Sequence, residues 1–159
     1  MTAAGPIPRI LMVLRDSRLR AALDILLRGE GFEPVTCAGI ASLTTAAPGE
    51  SDDIALVDWT MAEGLLAEEH RPGLRALARR VPMVLMVPCR WASLLSEEDL
   101  GIAALLPKPF DADTLLEAVS RASLVVRSSR GQGVAGSSSG PSTSVTEPAG
   151  DTADAGSVH

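Results

Sequence analysis

The chain has 159 residues, 46% of them hydrophobic and 21% charged, which fits one globular domain with an additional segment. Its formal net charge is -6 at pH 7, and its aromatic residues are two Phe and two Trp. Recognition of a phosphate backbone or of stacked bases needs basic and aromatic side chains, so we expect no nucleic-acid partner.

The apolar stretch at 84–87 is far too short to span a bilayer, and the N-terminus lacks a signal-peptide pattern. These features predict a cytoplasmic protein with no membrane contact.

Zinc and redox chemistry have little support in the sequence. The two cysteines, Cys37 and Cys89, are far apart and form no Cys-x-x-Cys motif. Glu68, Glu69 and His70 are adjacent and precede a proline, a pattern typical of a solvated loop rather than of a metal site. We therefore expect no metal or redox site at these residues.

The composition changes after Arg127. Residues 128–159 are rich in Ser, Gly, Ala, Thr and Pro and contain no Leu, Ile, Phe, Met or Trp. Such a segment buries too little apolar surface to offset the entropy lost on ordering. The sequence therefore predicts a folded domain at 7–127 and a disordered tail at 128–159, and the tail has no helix-turn-helix pattern.

The first half of the folded domain begins with a strand and a helix. The continuous apolar run at 10–14 is typical of a strand buried on both faces. The helix that follows has Asp16 or Ser17 as its N-cap and leucines on one face, and it ends at a pair of glycines. The remaining elements of this half are a weak strand at 34–38, a short helix at 40–46 and a buried strand at 54–57 that Asp58 ends.

The second half begins at 59–71 with a long loop, or a loop with one turn, which a Pro72-Gly73 break separates from a helix. Leu74, Leu77 and Ala78 form the apolar face of that helix. The later elements are a strand at 83–87, a short helix at 93–100, a strand at 103–106 and a last helix capped by Asp111. Strands that alternate with helices predict an α/β fold with a doubly wound, five-stranded parallel sheet.

Asp58 and Lys108 are the residues most suggestive of chemistry. Asp58 directly follows the apolar run Ile54-Ala55-Leu56-Val57, and Lys108, the only lysine of the chain, follows the last predicted strand. The carboxyl ends of parallel strands meet at one edge of a sheet, where such folds bind ligands. A carboxylate and an ammonium group at this edge are what a phosphoryl-accepting pocket requires.

The chain resembles the receiver domain of two-component response regulators, the CheY-like family, from residue 10 to about residue 124. The resemblance is carried by an ordered set of short segments, none of which is specific alone. They are Gly31-Phe32 after the first helix, Asp58-Trp59-Thr60-Met61, Val81-Pro82-Met83-Val84 and Lys108-Pro109-Phe110. The resemblance implies a flavodoxin-like fold with strand order 2-1-3-4-5.

In a working receiver, the aspartate after the third strand accepts a phosphoryl group from a histidine kinase with the help of magnesium. By resemblance Asp58 is the phosphoacceptor and Lys108 contacts the phosphate. The Lys108-Pro109 bond is a candidate for the cis form that the family favours at this point. Trp59 and Trp91 fall on loops expected at the rim of the pocket.

Four other positions depart from the family. The helix register places Leu14 and Arg15 where two acidic residues bind magnesium, Val87 where a hydroxyl residue ends strand four, and Leu105 where an aromatic residue switches on activation. Magnesium prefers oxygen ligands, which neither Leu nor Arg supplies. A guanidinium group about 4 Å from Asp58 would attract it by about 4 kcal/mol at an effective dielectric constant of about 20. We therefore expect an Arg15 to Asp58 contact in a degenerate pseudo-receiver.

Three functions stay open at this stage. The first is a stand-alone receiver-like domain of two-component phosphorelay signalling that acts through protein contacts, is not an enzyme, has no cofactor, and has lost or impaired magnesium-dependent phosphorylation of Asp58. The second is an active receiver whose Asp58 accepts a phosphoryl group from a histidine kinase, either with magnesium or with Arg15 in place of the metal, so that Arg15 and Lys108 together hold the phosphoryl oxygens. The third is a flavodoxin-like binder of a small ligand, although no Gly-rich phosphate turn follows any strand. The expected partner is a signalling protein, with a histidine kinase as the candidate, and residues 93–127 are a candidate dimer surface.

Overall fold

The computed structural model describes residues 7–46, 52–62 and 68–133. Five parallel strands form one sheet in the order β2-β1-β3-β4-β5. This order is the predicted one, and the flavodoxin-like fold class is confirmed. The strands are β1 (Arg9–Val13), β2 (Glu33–Thr36), β3 (Ile54–Asp58), β4 (Met83–Pro88) and β5 (Ala104–Lys108).

Helices cover both faces of the sheet. In the described part of the chain they are α1 (Ser17–Gly29), α2 (Ile40–Ala46), α3 (Trp59–Ala62), α4 (Arg71–Arg80), α5 (Cys89–Ala92), α6 (Glu97–Leu100) and α7 (Ala112–Gly133), with a short 3-10 helix at Glu68–His70. None of these helices has the length and apolar character needed to cross a membrane.

The apolar strands form two cores, one on each face of the sheet. In β1, Leu11 and Val13 pack into the core under α2 and α4, whereas Ile10 and Met12 pack into the core under α1 and α7. Successive side chains of a strand point to opposite faces, so both sets must be apolar when both faces are covered. This double burial explains why the strand sequences are continuous apolar runs rather than alternating ones.

The turn between β1 and α1 follows the prediction. The Asp16 carboxylate accepts hydrogen bonds from the backbone N–H groups of Arg18 and Leu19, at 2.8 and 3.2 Å. These bonds satisfy N–H groups that have no partner inside the helix, and they are the main cause of the lowered pKa of Asp16. At the other end, Gly31 has φ of 87°, a left-handed conformation that costs glycine little.

The predicted break at Pro72-Gly73 is wrong, because both residues lie in the first turn of α4, which begins at Arg71. Proline is tolerated there since the first N–H groups of a helix have no intrahelical acceptor. The inward face was predicted correctly: Leu74, Leu77 and Ala78 are its buried residues.

The single helix predicted at 93–100 is also wrong. The structure has α5 directly after β4 and, after an interruption, α6. The Ser96 hydroxyl accepts a hydrogen bond from the N–H group of Asp99 and thereby starts a new helix, which Gly101 ends with φ of 70°. Ser96, which the sequence predicts inside a helix, is therefore an N-cap.

At the C-terminal end, α7 continues beyond Arg127 to Gly133. Asp111 caps this helix as predicted, since its carboxylate accepts a 2.8 Å hydrogen bond from the N–H group of Thr114. Residues 134–159, which form most of the predicted disordered tail, lie outside the described residues. The domain division at 127 and 128 stays a prediction.

Candidate functional site

Asp58 and Lys108 meet at the carboxyl edge of the sheet. Lys108 Nζ donates a 2.8 Å hydrogen bond to Asp58 Oδ1, and the two side chains are 31% and 6% exposed. Asp58 is level with Met86 of β4, whereas Lys108 is level with Pro88, two residues further along. The long lysine side chain therefore reaches back across the end of β4 to a nearly buried carboxylate.

The two oxygens of Asp58 differ in their contacts. Oδ1 accepts the Lys108 bond and a weaker one, at 3.4 Å, from the backbone N–H group of Thr60. Oδ2 has no hydrogen bond among the described residues, and it is not a fully buried, unsatisfied atom. One carboxylate oxygen is thus held by a cation, while the other makes no hydrogen bond with the described residues.

The structure does not form the predicted Arg15 to Asp58 contact. Arg15 is exposed and makes no hydrogen bond or ion pair with any described residue. Lys108 occupies the position beside Asp58 that was predicted for Arg15. The exposed guanidinium of Arg15 keeps its hydration, while the partly buried ammonium of Lys108 lies at hydrogen-bonding distance from Asp58. Leu14, by contrast, is 3% exposed and packs into the core under α1 and α7.

Trp59 and Trp91 form a stacked pair at the same edge. Their ring centroids are 5.8 Å apart and their planes differ by 15°. Trp59 follows Asp58 directly in α3, and Trp91 lies in α5 and is 39% exposed. The sequence placed both rings at the rim, but it contained no signal that they pair with each other.

Comparison with known proteins rests on structure, since no protein-family model and no curated protein matches the sequence. The response regulator StyR has a TM-score of 0.64 at 24% identity, over 81% of this chain and 65% of StyR. Full-length FixJ from B. japonicum has a TM-score of 0.59 at 26% identity, over 80% of this chain and 65% of FixJ. The chemotaxis response regulator CheY4 of Vibrio cholerae has a TM-score of 0.56 at 21% identity, over 73% of this chain and 98% of CheY4.

The fold is that of a response-regulator receiver domain. The chain spans about two thirds of the length of StyR and of FixJ and nearly the whole of CheY4. The receiver fold accounts for the position of Asp58 at the end of β3 and of Lys108 at the end of β5. The Lys108-Pro109 bond is cis, as the resemblance implied.

The residues that the resemblance places at a receiver's magnesium position do not fit that ion. Val13 is level with Val57, so Leu14 and Arg15 follow at the height of Asp58. One is buried and apolar and the other is cationic, while Asp16 is committed to capping α1. Within the described ranges no group of three or more His, Cys, Asp or Glu side chains is placed to hold a metal ion. A hard dication would find one carboxylate here where it needs several oxygens.

The two residues that the resemblance places at a receiver's switch positions are apolar and packed. Val87 is completely buried in the core under α2 and α4, and Leu105 is half-buried against the same core. Neither side chain carries a hydroxyl that could follow a phosphoryl group.

A hydrogen-bond network that the sequence did not reveal fixes the backbone beside Leu105. Glu97 Oε1 accepts a 2.9 Å bond from the N–H group of Leu105, and Glu97 Oε2 accepts a 2.6 Å bond from Arg121. Burial of Glu97 raises its pKa, but the bonds from Arg121 and Leu105 outweigh it and leave the pKa below the usual value. Because β5 is an edge strand, its outward N–H groups lack a strand partner, and Glu97 supplies one.

The remaining polar candidates form no site. His70 is exposed and contacts Glu69 at 3.5 Å. Cys37 is buried, which raises the pKa of its thiol, and Cys89 is exposed and free.

Proposed function

We propose that this chain is a receiver-like domain of two-component signalling in which magnesium-dependent phosphorylation of Asp58 is lost or impaired. One observation carries the proposal: Leu14 is buried and Arg15 is a cation at the positions where receivers bind magnesium. Transfer to a carboxylate depends on neutralising the phosphoryl charge, which magnesium achieves by coordination and an arginine only by charge. The packed side chains of Val87 and Leu105 support the same proposal.

On this proposal the domain signals by binding rather than by catalysis. Its partner is a cytoplasmic signalling protein, with a histidine kinase as the first candidate. The surface formed by residues 93–127, which contains the Glu97 to Arg121 pair and exposed Leu94, is the candidate contact face and the candidate dimer face. A partner that binds there would contact a surface whose conformation is stabilised by the hydrogen bonds from Leu105 and Arg121 to Glu97.

A second function, an active receiver, is favoured by one specific observation. Asp58 keeps its contact with Lys108, and its Oδ2 has no hydrogen bond within the described residues. A carboxylate beside an ammonium group, with one oxygen not bonded to the described residues, is an arrangement that suits a phosphoacceptor. Under this alternative Arg15 would supply charge to the phosphoryl oxygens in place of the metal.

One experiment separates the two functions. The purified protein is incubated with magnesium and either beryllofluoride or acetyl phosphate, while the amide NMR signals around residue 58 are followed. We expect no shift up to high magnesium concentration, because the metal has a single carboxylate to bind. Stoichiometric acylphosphate that disappears in Asp58→Asn would overturn the proposal and establish the active receiver.

A further inference from the structure

A groove opens beside the Asp58 to Lys108 pair, on the same edge of the sheet. Its volume is about 510 Å³, and it lies between the first turn of α1, the start of α5 and the segment that joins β5 to α7. Small-molecule sites in proteins have volumes of this size, and open α/β sheets bind ligands beyond the carboxyl ends of their strands. The lining residues are Leu19, Pro88, Cys89, Arg90, Lys108, Pro109 and Phe110.

The lining combines apolar walls with positive charge. Leu19, Pro88, Pro109 and Phe110 present hydrocarbon surface, whereas the ionised lining groups are the cations of Arg90 and Lys108. Among the residues that the structure describes, no carboxylate lines the groove. An apolar wall with two cations favours a ligand that has an apolar body and a negative charge.

Both cations have hydrogen-bonding capacity left for such a ligand. Lys108 uses one of its three N–H donors on Asp58, and no other bond from it to a described residue is formed. Arg90 is exposed and forms no ion pair with the described carboxylates; its guanidinium lies 6.0 Å from the Trp91 ring centroid. Two acidic groups interact with Lys108: Asp58, which is bonded to it, and Asp16, which caps α1 and interacts with it electrostatically.

We propose that this groove binds a small organic anion with an apolar body, such as an aromatic carboxylate or sulfonate, held by Arg90 and Lys108. The inference rests on the proposed function, and it gives that domain an input other than phosphorylation. An anion on Lys108 competes with Asp58 for the ammonium group, and its body packs against Leu19 and Phe110. Ligand binding would thus act on the loops that a phosphoryl group controls in a working receiver.

The test uses the full-length protein without magnesium or a phosphodonor, so that its outcome is independent of Asp58 phosphorylation. The probe is anilinonaphthalene sulfonate, an aromatic anion whose fluorescence rises in apolar sites, and its matched control is phenylnaphthylamine, which lacks the sulfonate. We expect saturable one-to-one binding of the sulfonate at least about tenfold tighter than that of the neutral probe, the effect of one charge-assisted contact. Amide signals of Leu19, Cys89 and Phe110 should shift with the same saturation curve.

Two variants and a control locate the site. Arg90→Gln should weaken sulfonate binding about tenfold and leave the neutral probe unchanged, because it removes a charge and no wall. Cys89→Trp, a substitution at an exposed position, should fill the groove and abolish binding of both probes. Arg79→Gln, which removes an exposed arginine on α4 on the other face of the sheet, should change neither. Equal affinity for the two probes, or sulfonate binding unaffected by Arg90→Gln or by Cys89→Trp, would overturn the proposal.

Discussion

Lys108 Nζ and Asp58 Oδ1 are 2.8 Å apart, joined across the end of the strand that separates their own two strands. The carboxylate is nearly buried and the ammonium is about one third exposed. A buried charge without a partner is costly, so each residue depends on the other for its position in the fold. Whatever chemistry the site retains, this pair is also a structural contact.

Lys108→Met should therefore destabilise the domain by about 2 kcal/mol, less than a fully buried pair loses because Lys108 is partly exposed. Urea unfolding at pH 7 measures the change. The double variant Asp58→Asn/Lys108→Met should recover more than half of the lost free energy of unfolding, because it also removes the carboxylate charge that Lys108→Met leaves without a partner. Equal stability of Lys108→Met and the wild-type protein would show that water stabilises Asp58 as well as Lys108 does.

Restoring the acidic positions tests whether the metal site is the main defect. Leu14→Asp/Arg15→Asp should bring back a magnesium-dependent beryllofluoride shift at residue 58, within limits set by Val87, because three carboxylates then face one another. The same double change with Asp58→Asn is the control and should show no shift. Leu14 is buried, so circular dichroism must first show that the variant folds. A folded variant without a shift would mean that the pocket has diverged beyond its metal positions.

The Glu97 network predicts a pH-dependent contribution to stability. Hydrogen bonds from Arg121 and Leu105 hold the pKa of Glu97 below its ordinary value despite burial, so the unfolded chain binds a proton here more readily than the folded one. The contribution is present above the unfolded-state pKa of about 4.3 and is lost as the pH falls through the folded-state pKa. Glu97→Gln should cost about 1 kcal/mol at pH 7, and the difference from wild type should shrink in acid.

Urea unfolding between pH 3 and pH 7, on the scale of the carboxylate titration, measures this dependence. Glu98→Gln is the matched control. Glu98 is next to Glu97 in the chain, and its side chain is exposed and has no hydrogen bond among the described residues. The control should follow the wild-type curve within about 0.5 kcal/mol. A Glu97→Gln difference that stays constant through the acid range would contradict the assigned network.

The stacked tryptophans should be energetically coupled. Because aromatic pairs contribute beyond the area they bury, a double-mutant cycle of Trp59→Ala and Trp91→Ala should give a coupling energy of about 0.5–1.5 kcal/mol. Unfolding of the four proteins in urea supplies the cycle. Additive single effects would show that the two rings pack independently.

Much of the fold was predictable because the signals were local. The five strands were predicted within two residues at either end, including the last, which continues through Pro107 to Lys108. The caps at Asp16 and Asp111 were also predictable, since a capping carboxylate acts on N–H groups two or three residues away. The errors came where one residue type has two local roles: Pro72 starts a helix instead of breaking one, and Ser96 caps a helix instead of lying inside it.

The site was only partly predictable, for a physical reason. Continuous apolar runs and the order of strands and helices determine which residues reach the carboxyl edge of the sheet, so Asp58, Lys108, Leu14 and Arg15 were placed there from sequence. Which of them touch depends on side-chain reach and solvation across strands that are far apart in the chain. The tertiary structure alone decided that Lys108 rather than Arg15 pairs with Asp58, because the ammonium lies partly buried at hydrogen-bonding distance while the guanidinium remains exposed.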